Sequence, residues 1–329
     1  MHRLPVRLAG TFLAAAALAL TGCAGGDGGE TEGSDGVVRV VASTDVYGNI
    51  LAGIGGDNVD VTALIDRPSQ DPHSYEATAR DRLAVSKADL VVLNGGGYDS
   101  FLEKLAADEG IPAENILNAV ELSGLEDSGS AEGEEHHAEG EEHHAEGEDH
   151  HGHSHGSFNE HVWYSPDAMQ RLADAAAERL GELDAGAVEE FRSNTADFNE
   201  GIADINAALA ALRESSGGRD VALTEPVPDY LVEAAGLHNS TPSDFTEAVE
   251  EGADVPPQVL KEMQNLVSGG SIAFLGYNEQ TSTSQTEAVR QTALDTDVPV
   301  VDFSETLPEG LDYLEWMAAN TAAMESVLQ

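Results

Sequence analysis

The chain of 329 residues carries 61 Asp and Glu against 15 Lys and Arg, a formal charge of −46. A phosphate backbone would meet repulsion over most of such a surface, which excludes nucleic-acid binding as a function class. Hydrophobic residues make up 41%, enough to fill cores, so a wholly disordered chain is excluded too, and the length suits about two domains.

Arg3 and Arg7 precede an apolar run from Leu8 to Leu20 that is too short to span a bilayer comfortably and has the form of a secretory signal. The run ends in Leu20-Thr21-Gly22-Cys23, which resembles a bacterial lipobox, and Cys23 is the only cysteine. Residues 1–22 are therefore expected to be a lipoprotein signal peptide. Cys23 would become the acylated first residue, anchoring the mature chain to the outside of the cytoplasmic membrane. A plain secretory signal with an incidental cysteine is the alternative. Residues 23–36, rich in Gly, Asp and Glu, have no apolar face to bury and read as a flexible tether. With the one thiol at the tether, a metal site in folded sequence must use His and carboxylates.

From Val37 the chain reads VVRVVAST, a β-branched run expected to be a buried strand. Further strand-like runs lie at Val59 to Ile65, Ala88 to Asn94, Val221 to Thr224, Ser271 to Tyr277 and Val298 to Phe303, with helical patterns between them. That alternation predicts α/β lobes. Asn94-Gly95-Gly96-Gly97-Tyr98 follows a strand but lacks the Walker pattern, so it reads as a tight strand-to-helix turn. Residues 131–151 repeat AEGEEHH, AEGEEHH, AEGEDHH, followed by GHSHG. The repeat has no apolar positions for a coiled coil, so 124–156 is expected to be a disordered, solvated His-rich loop.

Ser165-Pro166 supplies a capping hydroxyl and a first-turn proline, and Met169, Leu172, Ala173, Ala176, Leu180 and Leu183 give the helix that follows one apolar face. Val188, Phe191, Thr195, Phe198, Ile202, Ile205, Leu209 and Leu212 then recur at steps of three and four. The helix they predict, Gly186 to Glu214, would run roughly 43 Å, longer than one lobe needs. The expected architecture is two (β/α) sandwich lobes, 37–185 and 218–329, joined by a rigid spine helix over 186–217, with a site in the cleft between them. A coiled-coil dimerisation arm is the rival use of the same seam.

The twelve histidines divide into His2 in the signal, eight in the loop, and His73, His161 and His238 in folded sequence. Singly, each of these three reads as a surface or satisfied histidine. Together, DPHSYE around His73, HVWYSP from His161, TEPVPDYL from Thr224 and VVDFSETLPEG from Val300 resemble, in order, the metal-specific solute-binding proteins of bacterial ABC transporters. A His-rich insertion before the second motif resembles the zinc-uptake members.

The resemblance implies a ligand set of His73 and His161 from the first lobe with Glu225 and Glu305 from the second, Asp302 being the less favoured register for the last. Glu225 departs from the many zinc members that have histidine there. His73, Glu225 and Glu305 each follow the carboxyl end of a predicted strand, the edge at which open α/β sheets hold ligands. Two imidazoles and two carboxylates would carry a charge of −2 to offset a buried divalent ion. Two His with two carboxylates resembles the manganese members, whereas imidazole clusters suit zinc, so Zn²⁺ is the expected cargo and Mn²⁺ the alternative. His136, His137, His143, His144, His150, His151, His153 and His155 would form weak auxiliary sites that raise the local metal concentration.

The expected function is an extracytoplasmic, lipid-anchored, monomeric binding protein that hands a divalent ion to a membrane permease and catalyses nothing. A secreted zinc hydrolase is the enzyme alternative, disfavoured because four protein ligands leave no position for water. A His-rich surface metal buffer or adhesin is the third. Loop imidazoles bind metal only when neutral, so zinc stoichiometry at the loop is expected to fall as pH drops through about 6.5. Equal stoichiometry in mildly acid and neutral buffer, counted by elemental analysis, would contradict this.

Overall fold

A computed structural model of the chain describes residues 36–67, 70, 75–125 and 158–329. The signal and lipidation assignments at 1–22 and Cys23, nearly all of the tether, His73 and the eight loop histidines lie outside the described residues.

The first lobe opens on β1 (Val38–Thr44), buried at every position but Arg39. The parallel strand β2 (Val59–Ile65) flanks it on one side, and β3 (Leu90–Leu93) then β4 (Ile116–Asn118) on the other, giving the order β2-β1-β3-β4. The second sheet repeats this winding with β5 (Asp220–Leu223), β6 (His238–Asn239), β7 (Ile272–Asn278) and β8 (Val300–Phe303) in the order β6-β5-β7-β8, again parallel throughout. Parallel strands need helical crossovers, which cover both faces of each sheet. The β-branched runs foresaw six of these strands to within a residue or two. They missed the edge strands β4 and β6, which at three and two residues are too short to show a period.

The alternation along β1 and β3 sorts side chains between two cores. Val40, Ala42, Leu90 and Val92 face inward, while Val41, Val91 and Leu93 pack beneath Leu102 and Leu105 on the outer face. The outer face of the second sheet has its own small core of Phe245, Met263, Leu275 and Val289. The inner faces share one continuous core, reaching from Val40 and Leu172 through Phe191 and Leu209 to Leu223, Phe274 and Trp316.

Helices from both lobes run through that shared core. In α5 (Pro166–Leu183) the Ser165 hydroxyl accepts from the Ala168 N–H and proline fills the first turn. The 29-residue helix α6 (Val188–Ser216) ends at Gly217 with φ of 67°. Phe191, Thr195, Ile202, Ile205, Leu209 and Leu212 of its seam are buried, whereas Val188 and Phe198 are half-buried. The seam meets α5, α1 (Asp45–Gly55), α7 (Asp229–Ala234) and the C-terminal α11 (Tyr313–Leu328). Filled by partners from its own chain, it is not left over for a coiled-coil arm.

Hydrogen bonds also cross the seam between the lobes. The Leu307 N–H donates to Asp45 Oδ1 at 3.2 Å, the Tyr313 N–H to Asn49 Oδ1 at 2.9 Å, and the Tyr313 hydroxyl to the Trp163 carbonyl at 2.8 Å. Because one core serves both lobes, Phe191→Ala is expected to cost about 3–5 kcal/mol. Chemical denaturation should show one cooperative transition shifted to lower denaturant, and two separated transitions would refute the shared core.

Candidate functional site

Three neighbouring strands of the second sheet deliver side chains to one carboxyl edge. Glu225 follows β5, Asn278 is the last residue of β7, and Glu305 follows β8. Asn278 Nδ2 donates to Glu225 Oε2 at 2.5 Å and to Glu305 Oε1 at 2.8 Å, so one amide nitrogen draws both carboxylates together. Glu225 and Glu305 are 4% and 3% exposed. The loop carrying Glu305 is pinned by Gln280, whose Oε1 accepts from the Glu305 N–H at 2.6 Å and the Thr306 N–H at 3.3 Å.

The first lobe contributes from its own strand ends. Beyond β3, the Asn94 and Gly95 N–H groups donate to the buried Asp99 carboxylate at 2.6 and 2.9 Å. Gly95 takes φ of 82°, and a Cβ there would sit 2.1 Å from Asn118 Oδ1, so only glycine makes this turn. The Asn94 amide accepts from the Tyr47 hydroxyl and donates to the Gly95 and Glu160 carbonyls at 2.8 and 2.9 Å. It thereby fixes the segment leading into His161.

His161 is 1% exposed. Its Nδ1 lies 2.7 Å from Asn159 Oδ1, an oxygen that can only accept, which assigns the proton to Nδ1 and the lone pair to Nε2 in the neutral ring. Trp163 packs against the imidazole at 5.0 Å between centroids, and Tyr98 at 5.9 Å. The Tyr98 hydroxyl in turn reaches Glu305 Oε2 at 3.5 Å, so one aromatic ring separates the first-lobe imidazole from the second-lobe carboxylate.

Around these residues lie further carboxyl groups, buried or half-buried, that the motifs did not reveal. Glu160 is buried beside His161, and Glu250, at the end of α8 (Ser243–Glu250), brings Oε1 to 4.0 Å from His161 Nδ1. Burial, then the Glu250 charge, pushes the Glu160 carboxyl up to about 8. Burial, then Glu305, pushes Glu250 up to about 7, and the same two causes raise Glu225. Glu160 adjoins a motif histidine and could have been suspected on that ground, whereas nothing in TEAVEEG marks Glu250. A cavity of about 450 Å³ borders this region, lined by Asn159, Glu160, Pro226, Asp229, Glu247 and Glu250 among others.

Of the four ligands that the motifs imply, the structure brings Glu225 and Glu305 together and sets His161 across the seam, while His73 lies outside the described residues. Among the described residues no three His, Asp or Glu side chains converge closely enough to hold an ion. Asp302, the alternative register, is half-exposed on the opposite face of β8 with its carboxylate 3.8 Å from Arg290. His238 is exposed on the edge strand β6, beside Asp220 and Ser240.

A family model described as the zinc-uptake complex component A, periplasmic, matches residues 40–327, and the chain belongs to that family. It is a family of binding components of uptake systems, not of enzymes. The high-affinity zinc uptake protein ZnuA of Haemophilus ducreyi is 29% identical over 66% of this chain and 72% of its own length. The manganese-binding lipoprotein MntA of Bacillus subtilis is 25% identical over 57% of this chain. The zinc-binding lipoprotein AdcA of Streptococcus pneumoniae R6 is 22% identical over 89% of it. The match spans about half the length of those last two relatives, 53% and 56%. Among solved structures, the periplasmic zinc-binding protein TroA of Treponema pallidum superposes over 89% of this chain and 99% of its own with a TM-score of 0.69 at 16% identity, which shows a common fold. A crystal structure of ZnuA covers the same 89%, and 98% of its own chain, with a TM-score of 0.63 at 18% identity. Among the described residues no helix is long and apolar enough to cross a membrane.

The raised carboxyls fix a pH dependence. Their protonated forms favour the fold. That contribution is complete below the ordinary value of 4.5 and is lost as pH rises through about 7 to 8. With a chelator present, the melting temperature is expected to fall between about pH 6 and pH 8.5, each group costing up to about 1.4 kcal/mol per pH unit. Glu160→Gln should flatten the decline, and a melting temperature that climbs over this range would contradict the assignment.

Proposed function

We propose that the chain captures one divalent metal ion, Zn²⁺, between its lobes and presents it to the membrane permease of an ABC transporter. The ligands in this reading are His73, His161, Glu225 and Glu305. The observation that carries it is the pair of buried carboxylates gathered at the carboxyl edge of one parallel sheet, facing a buried imidazole whose Nδ1–H is already committed. Burying like charges is costly without a cation. A histidine whose far nitrogen is held by a hydrogen bond has the arrangement usual for a metal ligand.

Charge supports a divalent cargo, since two ionised carboxylates and two neutral imidazoles neutralise one such ion. Binding would displace the proton that burial favours on Glu225, so uptake is coupled to proton release. The shared inner core and the hydrogen bonds across the seam favour closure by small shifts of loops and side chains over a wide hinge. In the full protein, Cys23 would tether the folded part to the outer face of the cytoplasmic membrane, and the eight loop histidines would gather ions nearby.

Manganese is the second reading, favoured by the carboxylate pair itself and by relatives named for manganese binding. Competitive titration of Zn²⁺ and Mn²⁺ on the mature chain lacking 124–156 separates the cases. One tight zinc site per chain is expected to survive. Glu225→Ala should weaken it by more than the roughly 10–100-fold that losing an outer-sphere partner costs, and His238→Ala should leave it unchanged. Loss of all tight binding with the loop would make the protein a metal buffer, and tighter binding of Mn²⁺ would assign the other cargo.

A further inference from the structure

We propose that Asn159 and Tyr164 are positioning residues that fasten the segment carrying His161 to both ligand-bearing loops of the second lobe, so that His161, Glu225 and Glu305 are held in register before an ion arrives. This rests on the metal-binding reading above and deepens it.

Each residue makes its hydrogen bond to the second lobe right beside a ligand. Asn159 Nδ2 donates to the Pro226 carbonyl at 2.9 Å, one residue after Glu225. The Tyr164 hydroxyl donates to the Ser304 carbonyl at 2.7 Å and accepts from the Ser304 N–H at 3.3 Å, one residue before Glu305. Those two bonds engage both backbone polar groups of Ser304, so the phenol holds the loop beyond β8 much as a neighbouring strand would. The Tyr164 ring is fully buried, edge-on to Phe303 at 6.2 Å and to Trp316 at 5.4 Å between centroids, which keeps its hydroxyl in place. A further bond ties the segment to α7, the Tyr230 hydroxyl donating to the Asn159 carbonyl at 2.6 Å.

The Asn159 amide also lets the second lobe dictate the state of the imidazole. A carbonyl can only accept, so Pro226 obliges Asn159 to present its nitrogen there and its oxygen to His161. That oxygen accepts from the His161 backbone N–H at 3.1 Å and lies 2.7 Å from Nδ1, which must then carry the ring proton. Moving the Glu225 loop away would free the amide to turn, and His161 would lose what fixes its orientation and its tautomer. Holding ligands in place beforehand removes an ordering cost from the bound state. Affinity gained in this way shows in the dissociation rate more than in the association rate.

The test follows release of Zn²⁺ from the full mature chain into excess chelator, weak sites emptying first and the slow phase reporting the tight one. Tyr164→Phe keeps the ring and removes both bonds to Ser304. Asn159→Asp keeps an oxygen for His161 and removes the donor to Pro226. Each is expected to speed the slow phase about tenfold or more, with the association rate within about a factor of two of the unsubstituted chain. A merely structural role would lower the melting temperature of the metal-free chain and leave the slow phase unchanged. That result in either variant would overturn the proposal and leave the site reading standing. Absence of a slow phase from the unsubstituted chain would overturn the site reading and this proposal with it. Should neither variant fold, amide exchange in the metal-free unsubstituted chain decides. Strong protection of the Ser304 N–H supports the proposal, and exchange as fast as that of an open loop overturns it.

Discussion

Negative charge out of reach of water is the constraint on which the architecture turns. Glu225 and Glu305 are buried on the same amide, and burial with the charge of Glu250 raises the proton affinity of Glu160, as burial with that of Glu305 raises that of Glu250. Withdrawing Glu160, Glu225 and Glu305 from water, with Glu250 half-buried beside them, is a local choice in a chain of net charge −46, and only a bound cation or bound protons can offset it.

The rest of the fold reads as support for that enclosure. Parallel sheets with matching strand order place their carboxyl edges at one seam, and the long helix α6 runs within the apolar core that both lobes share. Hydrogen bonds from α11 and the segment before it to Asp45, Asn49 and Trp163 prevent the halves from swinging freely. A hinge would leave the buried carboxylates to the solvent in every open state.

Much of this was legible in the residues, and the reasons differ by element. Val38–Thr44 announces itself because a strand covered on both faces is a nearly continuous apolar run, Val59–Ile65 because Val59, Val61 and Ala63 alternate with exposed Asp60 and Thr62, and α6 because its seam repeats over eight positions. The strands β4 and β6 stayed hidden because two or three residues cannot carry a period. At the site, the motifs single out His161, Glu225 and Glu305, with Glu305 favoured over Asp302, and the pleat turns Asp302 outward to Arg290. Asn278, Glu160 and Glu250 became visible only in three dimensions. Their importance lies in what they touch, and the partners are 27 to 53 residues away for Asn278.

The turn at Asn94-Gly95 has a chemical side as well. An asparagine followed by glycine is the dipeptide most prone to spontaneous deamidation, through attack of the following backbone nitrogen on the side-chain carbonyl carbon. Here that nitrogen is engaged by Asp99, the glycine is held at φ of 82°, and the amide is anchored to two carbonyls, so the cyclic intermediate has no room to form. The folded state thus guards its own most perishable bond. A molecule that ages while unfolded would acquire a carboxylate where Glu160 and Gly95 present carbonyl oxygens, and repulsion there would push His161 out of place on refolding.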